Sequence, residues 1–158
     1  MTGFLSGEAF AVDTKNSGTL TGLRWGSASE LPVLALHGWL DNASSFAPLA
    51  SHLSGFQLLA LDLPGHGHSQ HRPPGMRYHL LDYVPAVLEA AEGLGWESGL
   101  IMGHSLGGAI AGLVAIAAPE RVKAIILIEG LGPLSESETK LHGRLRNSGE
   151  GYARAQPR

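Results

Sequence analysis

Gly99-Leu100-Ile101-Met102-Gly103-His104-Ser105-Leu106-Gly107-Gly108-Ala109-Ile110-Ala111-Gly112-Leu113 passes from an apolar strand-like run, through Gly-His-Ser-Leu-Gly, into a second apolar run. That order sets Ser105 on a strand-to-helix turn, the arrangement of a nucleophile elbow. A hydroxyl attacks carbonyls poorly at its free pKa, so it must stand proud of the fold beside a base, with amide donors aimed at the developing oxyanion. Gly103 and Gly107, two residues to either side, let strand and helix approach closely enough to form the turn. The turn is expected to hold Ser105 at a φ outside the helical and common strand regions. Taken alone, the five residues also fit an ordinary glycine-rich turn, because 22 of the 158 residues are glycine. Segment 106–118 has no polar face and stops at Pro119, which predicts a helix buried against a sheet.

Two further segments favour the elbow. Pro32-Val33-Leu34-Ala35-Leu36 reads as a buried strand and ends in His37-Gly38-Trp39-Leu40-Asp41-Asn42. A loop leaving the carboxyl end of a neighbouring strand is where the second oxyanion donor belongs, which points to the Trp39 N–H beside that of Leu106. Gln57-Leu58-Leu59-Ala60-Leu61 is another strand, running into the turn-rich loop Asp62-Leu63-Pro64-Gly65-His66-Gly67-His68-Ser69 over the same sheet edge. His37, His66 and His68 read as imidazoles bonded to loop backbone. Metal-ligand spacings are absent, so no metal and no cofactor are expected. Asp62, Asp41 and Asn42 read as loop organisers.

The remaining elements fit one domain. Short strands near 8–13 and 19–25 flank the turn Lys15-Asn16-Ser17-Gly18 and predict an antiparallel start to the sheet. Ser44 or Ser45 is expected to cap a helix carrying Phe46, Leu49, Ala50 and Leu53 on one face. Asp82 is expected to cap a second helix, with Val84, Val87, Leu88 and Ala91 on one stripe and an end at Gly93 or Gly95. Strands 99–104 and 122–128 complete alternating βα units, hence a mainly parallel sheet with helices on both faces.

Composition narrows the class. The chain has 44% hydrophobic and 16% charged residues and a formal net charge of −3, which is globular and implies neither a nucleic-acid nor an anionic membrane partner. It lacks cysteine, which excludes disulfides and thiol catalysis. No apolar run approaches the roughly 18 residues needed to span a bilayer, and no basic cluster with an apolar run opens the chain, so a cytoplasmic location is expected.

His37-Gly38-Trp39, the segment 62–69 and Gly103-His104-Ser105-Leu106-Gly107-Gly108, in that order, closely resemble the α/β-hydrolase superfamily. Segment 36–46 is similar, more narrowly, to the serine hydrolase-like proteins within it. The resemblance covers about residues 10 to 135. It implies an α/β-hydrolase fold, a mostly parallel sheet with helices on both faces. A serine at the elbow argues against the branches whose nucleophile is an aspartate.

In that superfamily the catalytic order is serine, acid, then a histidine after the last strand. The chain is expected to end after the sixth strand. Residues 1–134 would form the amino-terminal part of the core domain, and 135–158 the start of a lid helix or a flexible basic tail. Ser135 and Glu138 suggest a capping box there, and residues 139–158 hold five Lys or Arg against one Glu. None of the eight histidines lies where the resemblance would put the base. Glu129, at the end of strand 122–128, is a candidate acid, equally readable as a structural carboxylate.

The resemblance implies a serine hydrolase that cleaves a small-molecule ester or thioester through an acyl-enzyme intermediate. Ser105 would be the nucleophile, with the Trp39 and Leu106 amides as the oxyanion hole. This chain alone is expected to show no appreciable turnover and to self-associate through an exposed sheet edge. The alternative is a non-catalytic member of the same fold that binds a ligand or partner in the same cleft.

Overall fold

The computed structural model describes residues 6–130. The proposed boundary at 134, the lid or tail of 135–158 and its capping box lie outside the described residues. Six strands form one sheet: β1 (Glu8–Thr14), β2 (Gly18–Trp25), β3 (Leu31–Leu36), β4 (Phe56–Leu61), β5 (Gly99–His104) and β6 (Val122–Ile128). Their spatial order is β1-β2-β4-β3-β5-β6. β1 and β2 pair antiparallel, and β2 runs antiparallel to β4. The pairs β3 with β4, β3 with β5 and β5 with β6 are parallel. The expected hairpin and the expected parallel sheet are both present.

Apolar side chains leave both faces of the sheet, so two cores form. On β3, Leu34 and Leu36 point into one cluster and Val33 and Ala35 into the other. The first is roofed by α2 (Tyr83–Gly93) and α3 (Leu106–Ala117), through Val87, Ala90, Ile110 and Val114. The second lies under Phe46 and Ala50 of a short helical segment, a 3₁₀ turn Ala43–Phe46 continuing into α1 (Ala47–Ala50). A strand covered on both faces gains nothing from polar alternation, which is why these strands are apolar runs.

Helix ends depart from expectation in identifiable ways. The cap of the first helical segment is Asn42, whose side-chain oxygen accepts from the Ser44 N–H at 3.0 Å, so neither Ser44 nor Ser45 takes that place. The α-helical part has only four residues. Asp82 sits inside a 3₁₀ turn, Leu80–Asp82. It does stand at the N-cap position of α2, but its carboxylate makes no bond to that helix; it accepts from the His79 N–H at 3.1 Å and pairs with Arg72 at 2.8 Å. α2 does stop at Gly93, and Gly95 adopts φ 71. The Trp96 N–H then bonds the Ala91 carbonyl at 2.8 Å, and the Gly95 N–H bonds Glu92 O at 3.0 Å. This pair is a Schellman closure. α3 is buried on one side only. Gly107, Gly108, Ile110, Ala111 and Val114 face the sheet, while Ile116 is 78% exposed. The burial against the sheet expected for this segment is therefore present, with the outer side exposed.

Candidate active site

Because β3, β4, β5 and β6 run parallel, the loops that follow them emerge at one edge of the sheet. The sequence-predicted residues Trp39, Ser105, Leu106 and Glu129 all lie on those loops or at the start of the helix after β5. Ser105 joins β5 to α3 at φ 49, ψ −111 and is exposed. A non-glycine residue there carries about 1–3 kcal/mol of backbone strain, which the surroundings must hold. They do so through the main chain. The Ser105 N–H donates to Ile128 O of β6 at 3.0 Å, and the Ser105 carbonyl accepts from the N–H groups of Gly108 and Ala109 at 2.9 and 3.2 Å.

Close approach of three backbones fixes the elbow. A Cβ at Gly107 would overlap the Leu36 carbonyl of β3, so only glycine lets α3 start there. A Cβ at Gly130 would come within 2.8 Å of Ser105 O. Glu129, at φ 49, is exposed and lies one residue from that contact. Gly38 reaches the elbow from the other side, where a Cβ would lie 2.9 Å from His104 Nδ1 and 3.6 Å from Ser105 Cβ. The loops after β3 and β6 thus flank the serine. Leu106 is the first residue of α3, so its N–H has no intrahelical acceptor.

His37 organises the loop after β3. It is fully buried, and its Nε2 accepts from the Leu63 N–H at 3.0 Å. The other nitrogen therefore carries the proton, and Nδ1–H donates to Gly38 O at 2.7 Å. Burial pushes this imidazole below its ordinary 6.5, the nearby His66 adds to the depression, and the bond to Gly38 opposes it. All described peptide bonds are trans, so the Gly38 C=O and the Trp39 N–H of one peptide point in opposite directions. Pinning the carbonyl on His37 aims the Trp39 N–H away from the imidazole.

His66 meets the expectation of a backbone-bonded ring, with Nδ1 3.2 Å from Pro64 O. His68 departs from it. Its main-chain N–H, and not its ring, is anchored, donating to Asp62 Oδ2 at 3.0 Å. Asp62 is buried and also accepts from Ala43 N–H at 2.7 Å and Thr21 Oγ1 at 2.9 Å, tying three loops and strands together. The loop role expected of Asp62 holds, but its reach to β2 had no signal in sequence, since Thr21 is an ordinary strand threonine. Asp41 and Asn42 also organise their loop, Asp41 by accepting from the Asn42 N–H at 2.8 Å. The buried cluster of His37, His66 and Tyr83 was not foreseen, because ring contacts across separate loops leave no local pattern. Its cost is visible, as His66 Nε2 and the Tyr83 hydroxyl are buried without hydrogen-bond partners among the described residues, about 1–3 kcal/mol each.

Among the described residues no group of three His, Cys, Asp or Glu could hold a metal ion, and no helix is long and apolar enough to cross a membrane.

A family model described as alpha/beta hydrolase fold matches residues 32–152. The chain belongs to the α/β-hydrolase fold family. It is 38% identical over 141 residues to a serine hydrolase-like protein of Dictyostelium discoideum, covering 87% of this chain and 39% of that protein. It is 42% identical over 113 residues to a human serine hydrolase-like protein, covering 71% and 56%. Among solved structures, a hypothetical protein of Pseudomonas aeruginosa PAO1 superposes with a TM-score of 0.81 at 40% identity, over 97% of this chain and 54% of that one. The chain thus spans between about two fifths and just over half the length of these relatives.

Proposed function

We propose that the edge around Ser105 is the acyl-transfer site of a serine hydrolase acting on a small-molecule ester or thioester. One observation carries the reading: Ser105 is held exposed at φ 49, ψ −111, between the Gly38–Trp39 loop and the start of α3. The similarity to proteins named serine hydrolase-like supports it. Ser105 Oγ attacks the acyl carbon and its proton passes to a base. The carbonyl oxygen, now negative, is met by the N–H groups of Trp39 and Leu106. The C–O or C–S bond to the leaving group breaks, and the base returns the proton to the departing oxygen or sulfur. Water, deprotonated by the same base, then releases the acid and restores Ser105. The base is a histidine outside the described residues, where the superfamily's order of serine, acid and histidine places it, and Glu129 is the acid that orients it; His37 and His66 are committed to backbone carbonyls.

Site-specific phosphonylation tests the reading, because it asks for an activated serine and not for turnover. In a form of the protein that carries the proposed histidine, a fluorophosphonate probe is expected to modify Ser105, as located by peptide mass spectrometry, and Ser105→Ala to abolish the label. Such a form, folded and with Ser105 unmodified, would instead favour a non-catalytic protein that binds its ligand in this cleft.

A further inference from the structure

We infer that His66 is a positioning residue for the oxyanion loop, acting through His37 and the Trp39 indole without touching substrate; the inference rests on the reading of Trp39 as an oxyanion donor. Three observations carry it. The His66 ring is in contact with two parts of that loop at once. Its centroid lies 5.1 Å from that of His37, tilted by 60°, and 5.5 Å from that of Trp39, nearly edge-on at 76°. Trp39 is 61% exposed, and the ring its indole meets among the described residues is that of His66. His66 itself cannot drift. It is only 9% exposed, packs against Tyr83 with centroids 6.5 Å apart, and its Nδ1–H holds Pro64 O.

The chemistry of the ring fits this role better than a role in proton transfer. Nδ1 faces a carbonyl, which can only accept, so that nitrogen carries a hydrogen. Nε2 is buried and has no hydrogen-bond partner among the described residues, so the ring presents no polar atom to the cleft. What remains is a flat, oriented surface wedged between the imidazole that pins the Gly38 carbonyl and the side chain of the residue whose N–H that pinning directs. Moving the wedge lets both shift, and an oxyanion donor displaced by a fraction of an ångström loses much of its effect.

The test uses the form of the protein that carries the proposed histidine, isotopically labelled at tryptophan, with wild type, His66→Phe and His66→Ala compared at neutral pH. Two quantities are read: the Trp39 indole N–H signal, assigned with Trp39→Phe, and the rate constant for phosphonylation of Ser105 per folded molecule. His66→Ala is expected to move the Trp39 signal toward that of a solvent-exposed indole and to slow labelling about tenfold or more. His66→Phe, which keeps the ring and loses the Pro64 anchor, is expected to recover most of both. A Trp39 signal and a labelling rate unchanged in His66→Ala, with only thermal stability lowered, would overturn the inference and leave His66 as core filling. Should His66→Ala not fold, a His66→Phe protein whose Trp39 signal lies at the position of a free indole overturns it instead. If wild-type Ser105 is not labelled at all, the hydrolase reading fails, while the Trp39 signal still reports whether His66 restrains the loop.

Discussion

At Gly107 and His37 single side-chain atoms decide whether the site exists. Replacing Gly107 with alanine puts a methyl group onto the Leu36 carbonyl, backbone against backbone, which no rotamer relieves. The gain in helix propensity is about 1 kcal/mol, whereas forced overpacking costs typically 1–3 kcal/mol and more against main chain. Gly107→Ala is therefore expected to lose about 2 kcal/mol or more in urea unfolding, together with Ser105 labelling. His37 sets the pH dependence. Its folded-state value lies below the 6.5 of the unfolded chain, so between the two the unfolded chain binds more protons. The stability it contributes is full above about pH 6.5 and declines as pH falls through the lower folded value. Urea midpoints measured from pH 7.5 down to 5 are expected to fall across that window, and a His37→Gln variant to lose that part of the slope. The five-residue pattern announces Ser105 and the glycines around it, because local sterics demand them. It says nothing of His66 or Tyr83, whose partners are brought by other loops.

Elements were legible wherever hydrophobic periodicity is strong, and all six strands lie within a residue or two of their expected bounds. The errors concentrate at helix ends. Asn42 displaced Ser44 as cap because three neighbouring residues can all accept from a helix N–H, and the entry angle of the chain from β3 selects among them. α3 packs against the sheet as expected, but only on one side. Its sequence has no polar face, yet Ile116 is 78% exposed among the described residues. An exposed apolar residue contributes little to folding, so Ile116→Lys is expected to change unfolding free energy by no more than about 0.5 kcal/mol. An internal α3 residue such as Ile110, fully buried, would behave in the opposite way, with Ile110→Ala costing about 2–5 kcal/mol by the same urea measurement.

Among the described residues, the sheet has an exposed apolar strand at one edge. β6 is the last strand in the sheet order, and Ile125, Ile126, Leu127 and Ile128 are each between 37% and 39% exposed, on both faces of the strand. A long, apolar edge is a template for pairing with another chain. The chain is expected to sediment as associated species at micromolar concentration, and Ile126→Lys to shift it toward monomer with Ser105 labelling retained. An unaltered distribution would place the contact elsewhere. The sequence by itself determined the strands, the elbow and the parallel order, because periodicity, glycine positions and short βα connections are local properties of the chain. Only the tertiary structure decided which loops flank Ser105, that Gly130 and Gly38 press on it from two sides, and that a buried carboxylate and two imidazoles hold those loops. Contacts between residues far apart in sequence form only when parallel strands bring their carboxyl ends to one edge, and no stretch of sequence carries that information alone.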